Sequence, residues 1–188
     1  MKKLFLIAFG LVIMSGAQAQ EDQKTQQSNT SSNSTTMWLG GGINYTSTNG
    51  DGIFTLAPSF GMMINENMAI GGTLQLSGGS NTSGWALIPY FRYYMPVTDK
   101  FSLYGDAYIA IAGGDNDTTD DNFGSYSAWG IGVSPGVQYW FTPQWSISTT
   151  VGRVGYQSSK FENQNDPDTK FNLNVDFTAI NFSLLYHF

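Results

Sequence analysis

From Thr36 to the last residue, apolar and polar side chains alternate with a period of two. The clearest run is 85–95. There Trp85, Leu87, Pro89, Phe91, Tyr93 and Met95 share one parity, and Ala86, Tyr90, Arg92 and Tyr94 the other. In 101–112, Phe101, Leu103, Ala107, Ile109 and Ile111 oppose Ser102, Tyr104, Asp106 and Tyr108. In 129–141, Trp129, Ile131, Val133, Val137, Tyr139 and Phe141 oppose Gly130, Gly132, Ser134, Gly136 and Gln138. Successive side chains of a strand point to opposite faces, so alternation over this length predicts strands rather than helices. Weaker copies occupy 37–45, 53–64, 68–77, 145–156 and the stretch ending Ile180, Phe182, Leu184, Tyr186, Phe188, which makes eight strands.

The connections choose the architecture. Asn65-Glu66-Asn67, Pro96 to Lys100 and Thr142-Pro143-Gln144 read as short turns. Between them fall more polar connections that read as longer: Thr46 to Gly52, Gly78 to Gly84, Gly113 to Ser125 and Gln157 to Lys170. Short turns on one side and longer loops on the other match an up-and-down barrel in a bacterial outer membrane. An even strand number then puts both chain ends on the short-turn, periplasmic side. A soluble barrel hides its apolar face inside. Here the apolar parity holds Trp, Leu, Ile, Phe and Met, more volume than an eight-strand lumen accepts, while the other parity holds Gly, Ala, Ser, Thr and Tyr. The expected fold is therefore all-β: an eight-stranded antiparallel up-and-down transmembrane β-barrel over 36–188, bulky face to lipid.

Aromatic and proline positions refine that picture. Phe101, Phe141, Trp145 and Phe188 beside the short turns predict one aromatic girdle, and Trp38, Trp85 and Trp129 the other. Pro89 and Pro135 remove ladder donors from strand interiors, which marks both as bulge candidates.

The chain start differs in kind. Met1-Lys2-Lys3, an apolar run from Leu4 to Met14 and then Ser15-Gly16-Ala17-Gln18-Ala19 predict a secretory signal peptide over 1–19. The apolar run is too short for a membrane helix. Residues 20–35, QEDQKTQQSNTSSNST, hold no apolar side chain and are expected to be a disordered periplasmic segment. The absence of cysteine excludes disulfides and a lipid anchor on Cys. The eight basic residues include Lys2 and Lys3, so a processed chain keeps six against fourteen acidic ones. With no basic cluster, nucleic acid is excluded as a partner.

Few residues suggest chemistry. Arg92 and Asp106 share the inward parity and fall opposite, or one pair apart, across the Pro96–Lys100 turn. A lumen ion pair with a structural role is expected there, ahead of a gated proton or solute path. Arg153 shares parity with Ile147 and Val151, where a guanidinium at mid-membrane costs about 2–4 kcal/mol. Two readings stay open: it snorkels at the outer interface toward lipopolysaccharide phosphates, or a bulge turns it inward. Asp115, Asp117, Thr119 and Asp121 have the spacing of a calcium loop, yet Asp120 replaces the usual Gly and Tyr126 the usual Glu. A solvated acidic loop is preferred to a weak calcium site. Asp117-Thr118-Thr119 is similar to the O-glycosylation acceptor of Bacteroidetes exported proteins, which would modify Thr118. His187, the only histidine, is expected to be a structural inward residue near the periplasmic mouth. No catalytic set, metal or cofactor is expected.

The signal ending Ala17-Gln18-Ala19, the stretch Pro89-Tyr90-Phe91-Arg92-Tyr93-Tyr94-Met95-Pro96, the following Phe101-Ser102-Leu103-Tyr104-Gly105 and the terminal Tyr186-His187-Phe188 carry a family resemblance. Over 37–188 the chain resembles small outer-membrane β-barrels of the OmpX-like and OmpA-like kind, and most of all the porin-family barrel proteins of Bacteroidetes-type bacteria. Terminal Phe188 with Tyr186 two positions earlier resembles the signal read by the barrel-assembly machinery, which the resemblance implies as a biogenesis partner. It also implies Gram-negative outer-membrane lipid and lipopolysaccharide as surroundings. Function is left open, because fold does not confer it. A structural or interaction barrel, exposing its loops to an unidentified extracellular or envelope partner, is expected. The alternative is a narrow porin-like channel. A lipid-modifying enzyme is least favoured, since barrel enzymes of this size (lipid A deacylase, palmitoyl transferase) act near the outer leaflet, far from His187.

Overall fold

The computed structural model describes residues 36–48, 51–116, 124–162, 166–174 and 181–188; the expected signal peptide and polar segment lie outside them. The strands are β1 (Met37–Thr48), β2 (Asp51–Met63), β3 (Met68–Gly79), β4 (Thr82–Thr98), β5 (Phe101–Asn116), β6 (Gly124–Trp140), β7 (Trp145–Thr150), β8 (Arg153–Phe161), β9 (Asp168–Asn174) and β10 (Asn181–His187). β7 and β8 together form one stave of the wall against β6, and β9 and β10 form the next. All pairings are antiparallel, and β10 returns to β1 to close an eight-stranded barrel. At the seam, Met37 N donates to Phe188 O at 3.0 Å and Phe188 N donates to Met37 O at 2.9 Å. That seam shares a rim with the turns at 64–67, 99–100 and 141–144, called the terminal rim below.

The wall sorts its side chains as the alternation requires. Leu39, Ile43, Phe60, Leu87, Ile109, Ile131 and Leu184 are exposed on the outside, while Arg92, Asp106, Ser134, Gln138, Ser148 and His187 are buried within. Water would favour the reverse, and hydrocarbon favours this arrangement. Phe141, Trp145 and Phe188 stand outward near the terminal rim, and Trp85 and Trp129 outward toward the distal one.

Trp38 corrects the expectation of an outer-girdle tryptophan. It lies at the terminal rim opposite His187, points inward and is 0% exposed. Its parity is that of the small residues, and Gly61 across the β1–β2 pair leaves space for its ring. The same device recurs: Tyr90 lies opposite Gly71, Tyr104 opposite Gly136 and Tyr108 opposite Gly132. In each case a Cβ on the glycine would intrude on the facing ring or its hydroxyl. The narrow lumen is filled by large rings meeting glycines across the ladder, which accounts for glycine and tyrosine on one parity.

Two further expectations change. Strand pairing runs through much of the polar sequence read as loop, because Gly, Ser and Thr continue the backbone ladder as well as apolar residues do. β1 reaches Thr48 before β2 starts at Asp51, and β3 and β4 are joined only by Ser80-Asn81. The alternation of short and long connections survives only after β5 and β8, and even there β8 and β9 absorb 157–161 and 168–170. Neither Pro89 nor Pro135 is itself bulged. Gly72↔Pro89 and Gly105↔Pro135 sit in unbroken registers, and the irregularity falls on the stave beside Pro135.

Gly136→Ala should destabilise the detergent-folded barrel by about 1–3 kcal/mol in denaturant titration, through overpacking against Tyr104. Gly105→Ala, where a Cβ meets nothing within 4 Å, should stay within about 0.5 kcal/mol of the parent.

Candidate functional site: a sealed lumen

β4 and β5 set Arg92 directly opposite Asp106. Arg92 Nε donates to Oδ1 at 2.7 Å and Nη2 donates to Oδ2 at 2.8 Å, a two-pronged pair. The two residues are only 5% and 8% exposed. Buried charges survive when they are paired and their remaining donors satisfied. Here the guanidinium also lies over the Tyr104 ring at 3.7 Å, with Tyr90 at 5.0 Å and Tyr94 at 5.7 Å. Three aromatic faces thus enclose the cation, each contributing cation–π attraction.

The network continues toward the terminal rim. Arg92 Nη1 makes longer contacts with Tyr94 Oη at 3.4 Å and Gln138 Oε1 at 3.5 Å. Tyr94 Oη donates to Gln138 Oε1 at 3.1 Å, and Gln138 Nε2 donates to Ser146 Oγ at 3.0 Å. Ser146 Oγ shares a hydrogen with His187 Nε2 at 2.7 Å. The imidazole sits between the Trp38 and Trp140 rings, each 6.2 Å from it. Leu185 packs fully buried in the same layer. Four staves so contribute a continuous polar chain, packed among the Trp38, Tyr94, Tyr104 and Trp140 rings. Ser146 and His187 have the spacing of a nucleophile and its base. Yet Ser146 is 0% exposed, and among the described residues no carboxylate hydrogen-bonds His187. The pair has no access to substrate.

On the distal side of this seal lies a cavity of about 520 Å³. Arg92, Asp106, Tyr90 and Tyr104 form its floor, and hydroxyl and amide side chains such as Thr55, Ser59, Thr73, Gln75 and Thr150 line it. Arg153 lines it too. Pro135 has no N–H for the neighbouring stave, while its carbonyl accepts from Val151 N at 2.9 Å. Beyond that point the register shifts from Gly136↔Thr150 to Val133↔Val154, leaving an extra residue at Val151–Gly152. A bulge of this kind inverts parity. Arg153 therefore turns into the barrel, with its guanidinium 5.2 Å from the Tyr108 ring centre. Of the two readings for this residue the inward one holds, and the snorkel toward lipopolysaccharide is set aside.

Of the remaining candidates, only some fall among the described residues. Asp115 belongs to β5 rather than to a loop, and its Oδ1 accepts from Ser125 Oγ at 2.6 Å. Asp117, Thr118, Thr119 and Asp121 lie outside the described residues, among which no metal-binding cluster occurs. Tyr186 and Phe188 form an outward aromatic stripe with Trp145: Tyr186 packs 5.0 Å from Trp145 and 6.3 Å from Phe188. Sequence reasoning found the Arg92–Asp106 pair but missed Gln138 and Ser146. The available signal was Gln138, a long polar side chain on an inward face otherwise made of Gly and Ser.

The closed wall, apolar outside and polar within, defines a small membrane-spanning β-barrel. The chain belongs to the family described as outer membrane protein beta-barrel domain, whose model matches residues 5–188. Among solved structures it is similar to the N-terminal β-barrel domain of Pseudomonas aeruginosa OprF, at 11% identity and a TM-score of 0.53, covering 82% of this chain and 97% of that one. Neisserial surface protein A matches at 14% identity and TM-score 0.46, covering 81% of this chain and 92% of its own. Pseudomonas aeruginosa OprG matches at 16% and 0.45, covering 82% and 96%. No curated protein matches.

Removing one member of the buried pair leaves the other unneutralised. Arg92→Met and Asp106→Leu should each cost about 3–5 kcal/mol of unfolding free energy, and the double variant should recover most of that loss. Additive losses in the double-mutant cycle would show that the two side chains do not act as a pair.

Proposed function

We propose that this outer-membrane barrel has a structural or interaction role, with its distal loops meeting an extracellular or envelope partner. The packed lumen supports this reading: Arg92, Asp106, Tyr94, Gln138, Ser146 and His187 interlock across the barrel, an arrangement that favours a filled interior over an open pore. Work must then fall to the outer surface. The strand ends that flank 117–123 and 162–167, Asn116 with Gly124 and Phe161 with Asp168, lie at the distal rim. In this reading the chain is exported by its signal peptide, assembled through its terminal Tyr186/Phe188 stripe and oriented with the terminal rim toward the periplasm. Lipid and lipopolysaccharide surround the wall. An enzymatic role is disfavoured because the sole histidine is buried at the rim opposite the outer leaflet.

A narrow channel is the second reading, favoured by the cavity above the seal and the polar chain running through it. Planar-bilayer recording separates the two. Purified protein is expected to give no steady conductance, and stable open levels would overturn the sealed reading. For the interaction role, replacing 117–123 by a two-residue turn should leave heat-modifiable gel mobility unchanged while abolishing co-purification of envelope proteins from native outer membrane. Retention of the same co-purifying set by both that variant and a matching 162–167 replacement would argue against loop-mediated binding.

A further inference from the structure

The seal accounts for one of the two arginines inside the barrel. Arg92 is neutralised by Asp106, so the cavity floor is electrically balanced. Arg153 is different. Among the described residues no carboxylate lies within ion-pair distance of it, and its recorded partner is the face of Tyr108. Elsewhere, among the described residues, the cavity wall is neutral and rich in hydroxyls and amides. At about 520 Å³, the space falls within the range of small-molecule sites.

The backbone is arranged to put that charge there. Pro135 interrupts the ladder, the adjoining stave bulges at Val151–Gly152, and the parity change brings Arg153 in from the lipid face. Bulges commonly serve to re-aim a side chain. A neutral residue at this position would avoid lipid equally well, so lipid avoidance alone leaves the guanidinium unexplained. A guanidinium forks onto two oxygens at once, which suits carboxylate and phosphate groups.

We propose that the cavity distal to the seal binds a small hydroxylated oxyanion, of sugar-acid or sugar-phosphate size. Arg153 holds the anionic group, and Thr55, Thr73, Gln75 and Thr150 meet the hydroxyls. The seal closes the terminal side, so the ligand enters and leaves by the distal rim. The site is independent of whether the distal loops dock a partner protein.

The test is isothermal titration of the detergent-folded protein with D-glucuronate, glucose 6-phosphate and neutral glucose. Glucuronate, glucose 6-phosphate or both should bind saturably and glucose should not; which of the two binds tells the carboxylate source from the phosphate. Arg153→Gln should weaken binding about tenfold or more, and Arg153→Lys should weaken it less. Lys160→Gln, on the outer surface, should leave it unchanged. Amide chemical-shift mapping on the wild-type protein guards against a variant that fails to fold: glucuronate or glucose 6-phosphate should perturb Tyr108 and Gly152–Val154. Absence of saturable binding, insensitivity to Arg153→Gln in a folded barrel, or perturbations confined to the outer wall would each overturn the proposal. Asp176, two residues past Arg153's cross-strand neighbour Asn174, lies outside the described residues. Binding seen only in Asp176→Asn would show that the chain neutralises Arg153 itself, and would equally overturn it.

Discussion

Hydrocarbon outside the wall dictates everything inside it. A strand crossing a bilayer must turn one parity to lipid, where an unpaired charge costs several kilocalories per mole at mid-depth. The polar side chains of the crossing strands are therefore turned into a lumen eight staves wide. The Arg92–Asp106 pair is the extreme case: two full charges on facing residues, buried among three tyrosine rings. Its charges are met by the two-pronged hydrogen bond and by the tyrosine rings around the guanidinium, and on the terminal side these groups fill the lumen.

How it is filled follows from ladder geometry. Large rings in a narrow barrel need facing positions with no side chain at all, and the registers supply them: Trp38 with Gly61, Tyr90 with Gly71, Tyr104 with Gly136 and Tyr108 with Gly132. Below the charged pair the seal passes from stave to stave through amide, hydroxyl and imidazole until it meets His187, beside the seam where first and last strands join. Closure of the barrel and closure of the lumen thus share residues at one rim.

The strands, the outward face and the Arg92–Asp106 pair were legible because each depends on parity within one strand or on pairing across one short turn. What escaped depends on longer separations. The glycine–aromatic pairs and the Gln138–Ser146–His187 chain are set by register between strands, which no single run of sequence displays. Trp38 was misplaced because a tryptophan near a strand end looks the same whether it faces lipid or the lumen. Arg153 was undecided for a related reason: its direction depends on a bulge prompted by Pro135 on the neighbouring stave. Loop lengths were overestimated since polar residues pair their backbones above the membrane as readily as apolar ones do within it.

The claim that bulky side chains face hydrocarbon while small and polar ones face the interior can be measured directly, and the natural absence of cysteine makes single labels clean. Spin labels would be placed by Ile109→Cys and Ile131→Cys on the outer face, and by Thr55→Cys and Thr73→Cys on the cavity wall, in protein reconstituted into lipid vesicles. Relaxation by molecular oxygen dissolved in the bilayer should be strong at 109 and 131 and weak at 55 and 73. Strong oxygen relaxation at 55 and 73 with none at 109 and 131 would contradict the account.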